Sequence, residues 1–172
     1  MKFSKFRPIY CDMDGVLVNF IDAMERSVRR HLRFNGNPFD INIPIDQLWE
    51  LAHKDLEERF WSEMEWLPGS KKLWEFISPH NPRILSAVPP GGTPKIFAWS
   101  EKGKRIWCKR HLGISGTRVN IVTREQKQRY AKDAILIDDL KKNIDEWNSA
   151  GGTGVLFRNP NQAISDLKKL GL

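Results

Sequence analysis

Short apolar runs alternate along this chain with stretches of helical periodicity. Ile9 to Cys11, Arg83 to Leu85, Arg118 to Val122, Ala134 to Ile137 and Gly154 to Phe157 are rich in Ile, Val and Leu and do not alternate strictly with polar residues. That pattern fits strands covered on both faces, as in a parallel sheet. Helical patterns between them predict an α/β fold: a doubly wound, mostly parallel five-stranded sheet. In such a sheet the ligand crevice lies beyond the carboxyl ends of the strands, where connections diverge.

About seventy residues separate the first two strands, too many for one crossover and too patterned for a loop. Ile21, Met24, Val28 and Leu32 recur at three- and four-residue steps and predict an amphipathic helix, with Arg26, Arg29, Arg30 and Arg33 off the stripe and Asn35-Gly36-Asn37-Pro38 as its stop. Ile45 to Leu51 and Leu56 to Met64 predict two shorter helices, and Pro68-Gly69 opens another through Leu73, Trp74 and Ile77. The expectation is a small helical cap over residues 20–66, inserted after the first strand of a core made of 1–19 and 67–172. The segment carries Phe20, Phe34, Phe39, Trp49, Phe60, Trp61 and Trp66. Such residues ordinarily form core. The alternative is an aromatic wall that stacks on a flat substrate, with Phe20 the best-placed member and Trp61 a second. Further on, Thr93-Pro94 reads as a cap and first-turn proline for a helix to His111 or Leu112, with Gly113 as its stop. Asn159-Pro160 opens the last helix.

Composition narrows the class. The chain has 172 residues, enough for one domain with a real core. Lys plus Arg is 28 against 21 Asp plus Glu, a net charge of +7, which favours an anionic partner. Residues 95–132 hold eleven basic residues against Glu101 and Glu125, a local +9 (11 − 2). A solvated face accounts for most of that run, and nucleic acid is a possible partner for it. One cation should still reach the crevice: Lys127, with Arg124 and Lys132 as rivals. Cys11 and Cys108 make neither a disulfide framework nor a zinc site, and a reducing compartment fits. No apolar run approaches the ~18 residues of a membrane helix. The basic start, Met1 to Pro8, has no hydrophobic core of a signal peptide. Cytoplasmic is the default.

Two acidic pairs follow apolar runs: Asp12-Met13-Asp14-Gly15 after the first and Asp138-Asp139 after the fourth. Alone, the first could be a surface turn. Buried carboxylates are rare without a partner, however, and two such pairs at strand ends point to one site. If the two strands are parallel and adjacent, all four acids face one crevice and suit a hard divalent cation such as Mg²⁺. Ser86-Ala87, ending the second strand, could hold a phosphate oxygen.

The set Asp12 to Val16, Ser86, a lysine near 127 and Asp138-Asp139 resembles the haloacid dehalogenase-like hydrolase superfamily. Leu67-Pro68-Gly69, Lys104-Arg105-Ile106-Trp107, Thr123 to Lys127 and Gly151 to Leu156 make it similar, more narrowly, to the 5'(3')-deoxyribonucleotidases. The spacing from Lys127 to the acidic pair is about a residue longer than that group leads one to expect. The resemblance implies a Mg²⁺-dependent phosphomonoesterase acting on a small phosphorylated substrate, most simply a nucleotide. It implies Asp12 as nucleophile and Asp14 as general acid and base. Asp12, the Asp14 carbonyl and Asp139 would bind metal, with Asp138 behind them. Ser86, Ala87 and Lys127 would bind phosphate, and Phe20 and Trp61 the rest of the substrate. Alternatives are a phosphatase for nucleic-acid ends, or a non-catalytic basic nucleic-acid-binding module on the same fold.

Overall fold

The computed structural model describes residues 7–172, so most of the N-terminal stretch read for a signal peptide lies outside it. Five strands form one sheet: β1 (Ile9–Cys11), β2 (Arg83–Ala87), β3 (Val119–Val122), β4 (Ile135–Asp138) and β5 (Thr153–Leu156). Their order is β3-β2-β1-β4-β5, every pairing parallel. Each run therefore needs a crossover, and the helices that supply it cover both faces. Alternation along the strands splits the core accordingly. Ile9, Cys11, Ile84, Ile135 and Ile137 pack into the larger cluster, while Tyr10, Leu85 and Leu136 pack with Ile144 and Trp147 into the smaller.

Register fixes what meets at the carboxyl edge. Cys11 lies opposite Ile84 on one side and Ile137 on the other. The Asp12 N–H donates to the Ile137 carbonyl at 2.9 Å, so Asp12 arrives beside Asp138. The two acidic pairs thus end adjacent parallel strands, the condition under which they meet at one crevice. The chain then turns tightly: the N–H groups of Val16, Leu17 and Val18 all reach the Met13 carbonyl.

Between β1 and β2 come α1 (Phe20–Arg29), α2 (Ile45–His53), α3 (Arg59–Ser62) and α4 (Ser70–Ile77). Both ends of the segment 20–66 are tied to each other. Asn19 N–H donates to the Glu65 carbonyl at 2.9 Å, and Leu67 N–H to the Leu17 carbonyl at 2.8 Å. The helix predicted from Ile21 to Leu32 stops early, at Arg29. Its buried face is Ala23, Met24, Ser27 and Val28, whereas Ile21 and Leu32 are 43% and 38% exposed. Past Val28 no apolar face remains to bury, and Arg29, Arg30 and Arg33 would crowd like charges on further turns.

After β2, α5 (Pro94–Leu112) starts on the Thr93 cap, whose hydroxyl accepts from Ile96 N–H, and stops at Gly113 with φ +67°. Its buried residues are Ile96, Ser100, Gly103, Lys104, Trp107 and Cys108, a stripe at three- and four-residue steps. At Gly103 the helix meets α3 so closely that a Cβ would stand 2.3 Å from the Glu58 carbonyl and 2.6 Å from Trp61 Cβ. Finally, α6 (Lys141–Ser149) and α7 (Pro160–Lys169) follow β4 and β5. No helix of the described residues is long and apolar enough to cross a membrane.

Candidate active site

Three carboxylates gather where β1 and β4 end. Asp12, Asp138 and Asp139 each bring an oxygen within 4.8 Å of the others. Asp12 and Asp138 are buried. Burial, reinforced by Asp138, Asp139 and Asp14 and opposed by Lys127, holds the Asp12 carboxyl well above the usual range. Burial, then the charge of Asp138, also raises Asp139. Such a group of acids calls for positive charge.

Lys127 supplies part of it. Its chain segment is a 3-10 helix over Arg124–Tyr130, opened by a reciprocal cap between Thr123 and Gln126. That cap aims Lys127 inward, where it is 3% exposed. Its Nζ lies 2.7 Å from Asp138 Oδ2 and 3.1 Å from Asp12 Oδ1. Burial alone would lower its pKa, but the two carboxylates override that and raise it, so Lys127 stays charged. Of the rivals, one shares the cavity and one does not. Arg124 lines the cavity, held by Glu146 at 2.8 Å, and Lys132 is exposed.

The oxygens of Asp138 are already taken. Oδ1 accepts from Leu140 N–H at 2.9 Å and from Asn143 Nδ2 at 3.0 Å; Oδ2 accepts from Lys127 and again from Asn143. Asp138 therefore holds Lys127 and Asn143 in place. On Asp12, Oδ1 accepts from Met13 N–H at 2.8 Å.

Asp14 faces a second lysine that the sequence reading left among the solvated cations. Lys104 Nζ donates to Asp14 Oδ2 at 2.6 Å, to Ser86 Oγ at 2.9 Å and to the Ala87 carbonyl at 2.6 Å. Its side chain is 0% exposed, and all three of its protons are used. The same ammonium stands 4.6 Å from the centre of the Trp61 ring. Its signal was the stripe on α5: a lysine four residues after Ser100 and three before Trp107 falls on the buried face. Ser86, also fully buried, reaches the site through Lys104. The remaining Asp14 oxygen, Oδ1, is buried without a hydrogen-bond partner among the described residues.

A cavity of about 310 Å³ opens over these groups, lined by Asp12, Asp14, Asp139, Ala87 and Lys127 at its polar end. Phe20, Phe39, Trp49 and Trp61 line the rest, with Ile21 and Leu140. Phe20 and Trp61 are near parallel, 12° apart with centroids at 5.9 Å, and Phe39 meets Trp49 edge-on at 5.8 Å. Trp49 and Trp61 are at once core residues and cavity wall, so the two readings of the aromatics were not exclusive. Ile21, Phe39 and Leu140 are exposed apolar side chains that all line this cavity. Burial pushes the Cys11 thiol far up and that of Cys108 to about 12, which makes both poor nucleophiles.

Gly15 is where backbone and carboxylates come closest. Its φ is +74°, and an added Cβ would lie 2.4 Å from Asp139 Oδ2. Gly15→Ala should both strain the turn and displace Asp139. We expect divalent-cation affinity, measured by calorimetry, to fall on the order of tenfold, as for other disturbances that reorient metal ligands. Unchanged affinity would remove Asp139 from the set of candidate ligands.

The sequence signature of the 5' nucleotidase, deoxy (pyrimidine), cytosolic type C family matches residues 7–169. No curated protein matches the chain. Among solved structures it is similar to a hydrolase from Streptococcus pneumoniae TIGR4, 14% identical over 96% of this chain and 98% of that one, with a TM-score of 0.52. It is also similar to a hydrolase from Pseudomonas syringae, 15% identical over 95% and 98%, at 0.49. The chain belongs to the 5' nucleotidase, deoxy (pyrimidine), cytosolic type C family, phosphatases of the haloacid dehalogenase-like hydrolase fold.

Proposed function

We propose that this protein is a Mg²⁺-dependent 5'-nucleotidase that hydrolyses deoxynucleoside monophosphates through an aspartyl-phosphate on Asp12. One observation carries the proposal: buried acids and two buried lysines stand at one end of an aromatic cavity sized for a single nucleotide. The donor set fits the metal. It is all oxygen, it is crowded with negative charge, and Asp12 and Asp139 remain to coordinate while protein donors saturate Asp138. With the Asp14 carbonyl, these two would hold Mg²⁺, which when bound neutralises the repulsion between Asp12 and the phosphate.

The other steps belong to the chain itself. With Oδ1 fixed by Met13 N–H, Asp12 presents Oδ2 to phosphorus. Asp14 lends the leaving oxygen a proton from its carboxyl, and Oδ1, which lacks a partner, is the atom free to do so. It then takes a proton from the water that cleaves the aspartyl-phosphate. Lys127 and the hydroxyl proton of Ser86, which Lys104 does not use, stabilise the oxygens of the phosphoryl group as charge spreads over them. Residues 20–66 act as the cap: Phe20 and Trp61 flank the leaving group, and the mutual tie at 17–19 and 65–67 makes the segment one unit. Two free buried cysteines and the family suit a cytoplasmic enzyme.

Several cations of the basic segment have partners within the protein, which favours a small substrate over nucleic acid. Lys102 pairs with Glu58, Arg105 with Glu101, Arg124 with Glu146, and Arg110 and Arg118 bind main-chain carbonyls. A panel of nucleoside monophosphates, sugar phosphates and 5'-phosphorylated oligonucleotides tests the proposal. Phosphate release should be fastest from pyrimidine deoxynucleoside monophosphates and should stop on chelation of divalent cations. Release that ignores chelation, or that favours oligonucleotide ends, would contradict it.

A further inference from the structure

Behind the aromatic wall of the cavity stands a buried histidine that does not itself line the cavity. His53, the last residue of α2, is 1% exposed. Its Nδ1 lies 2.7 Å from the Trp49 carbonyl one turn back, and its Nε2 lies 2.7 Å from Trp61 Nε1. An indole N–H can only donate and a carbonyl can only accept, so the two contacts fix the tautomer: Nδ1 carries the proton and Nε2 accepts. Burial agrees, lowering the His53 pKa to about 4 and keeping the ring neutral. The ring stacks on Trp99 of α5, 17° from parallel at 5.7 Å, and packs on Phe60 at 4.8 Å.

The contacts form a chain. Trp49 Nε1 donates to the Pro90 carbonyl at 2.9 Å, the Trp49 carbonyl accepts from His53, and His53 accepts from Trp61. Trp61 then lies face to face with Phe20 on one hand and against the Lys104 ammonium on the other. Packing confines the Trp61 ring, and its N–H adds a directional constraint, because a buried donor without an acceptor is costly. Among the described residues, His53 is the acceptor of the Trp61 indole N–H.

We propose that His53 is a positioning residue for substrate selection: by holding Trp61 through its N–H and Trp49 through its carbonyl, it sets the plane on which the substrate's ring stacks. This rests on the nucleotidase reading above. Lys104 touches the Trp61 ring, but it is held by Asp14, Ser86 and the Ala87 carbonyl, and the hydrogen bonds of the phosphate-handling groups share no atom with those of His53, so its loss should weaken ring binding and leave the phosphate chemistry largely intact.

Three variants separate positioning from mere packing. His53→Gln can place an acceptor near the Nε2 position, His53→Asn keeps only a partner near Nδ1, and His53→Phe keeps only ring volume. Each is assayed on a pyrimidine deoxynucleoside 5'-monophosphate and on glycerol 2-phosphate, which has no ring. We expect KM for the nucleotide to rise about tenfold in His53→Asn and His53→Phe, the scale of losing part of one base–aromatic stack. Within twofold, kcat should hold, both constants for glycerol 2-phosphate should stay level, and His53→Gln should recover most of the loss. In ¹⁵N-indole spectra, the Trp61 N–H resonance should move upfield and exchange faster in His53→Asn and stay near its wild-type position in His53→Gln. Equal losses on both substrates, or no rescue by Gln, would overturn the role of His53 even with the nucleotidase activity intact. A wild-type enzyme without preference for the nucleotide over glycerol 2-phosphate would instead refute the proposed function, and the role of His53 in selection with it.

Discussion

Asp12→Asn will lose turnover by roughly four orders of magnitude or more, the scale on which removing a covalent nucleophile acts in other enzymes. It will do so without unfolding. Asn keeps the shape and removes one of the charges crowded at the ends of β1 and β4, where burial and three neighbouring carboxylates already hold Asp12 above its usual range. Lys127 keeps its shorter contact, 2.7 Å to Asp138, so no buried cation is orphaned. Thermal unfolding should therefore stay within a few degrees of the wild type while phosphate release falls to background. Substantial activity in this variant would mean that water attacks phosphorus directly and that Asp12 only binds metal.

Lys127→Met will have the largest effect on stability. It leaves Asp12 and Asp138 buried without the one cation that touches both, and breaking a buried pair from one side costs about 3–5 kcal/mol. Against a typical domain stability of about 5–15 kcal/mol, that is a large share. The pH dependence has a definite sign. Lys127 holds the Asp12 pKa down, so its removal raises a carboxyl already shifted upward. A group whose folded pKa exceeds its unfolded value contributes stability at low pH and loses it as pH rises. The gap between wild type and variant should thus widen above about pH 8, where Asp12 ionises in the wild type and stays protonated in the variant, as read in urea titrations. Saturating Mg²⁺ should narrow it by restoring positive charge. A gap that stays constant with pH would show that Lys127 contributes by packing rather than by charge.

Much of this was legible in the sequence because it depends on local pattern. Strands buried on both faces read as continuous apolar runs, and the acids at the ends of β1 and β4 follow from position alone once those strands are neighbours. Lys127 was legible, beside Arg124 and Lys132, because it follows the end of β3 at the same edge. What escaped depends on distant partners. Lys104 sits on a helix whose charges otherwise face water, and only its place on the buried stripe gives it away. His53 drew no reading from the sequence, because its partner Trp61 belongs to a different helix. The early end of α1 reflects the loss of a buried face after Val28 and the run of arginines beyond it, which the spacing of Ile21, Met24, Val28 and Leu32 alone does not reveal. Asp138 was expected behind the metal ligands, but the partners that take up its oxygens, Leu140, Asn143 and Lys127, are not visible in the sequence.

The central claim is that Asp12 carries the phosphoryl group between substrate and water. Borohydride quenching during turnover, followed by mass spectrometry of the peptide containing Asp12 to Gly15, tests it most directly. Reduction of an aspartyl-phosphate converts the aspartate to homoserine. Our account predicts that conversion at Asp12 alone, only with nucleotide and Mg²⁺ both present, and not in Asp12→Asn. Conversion at Asp14, Asp138 or Asp139, or none at all while phosphate release continues, would contradict it.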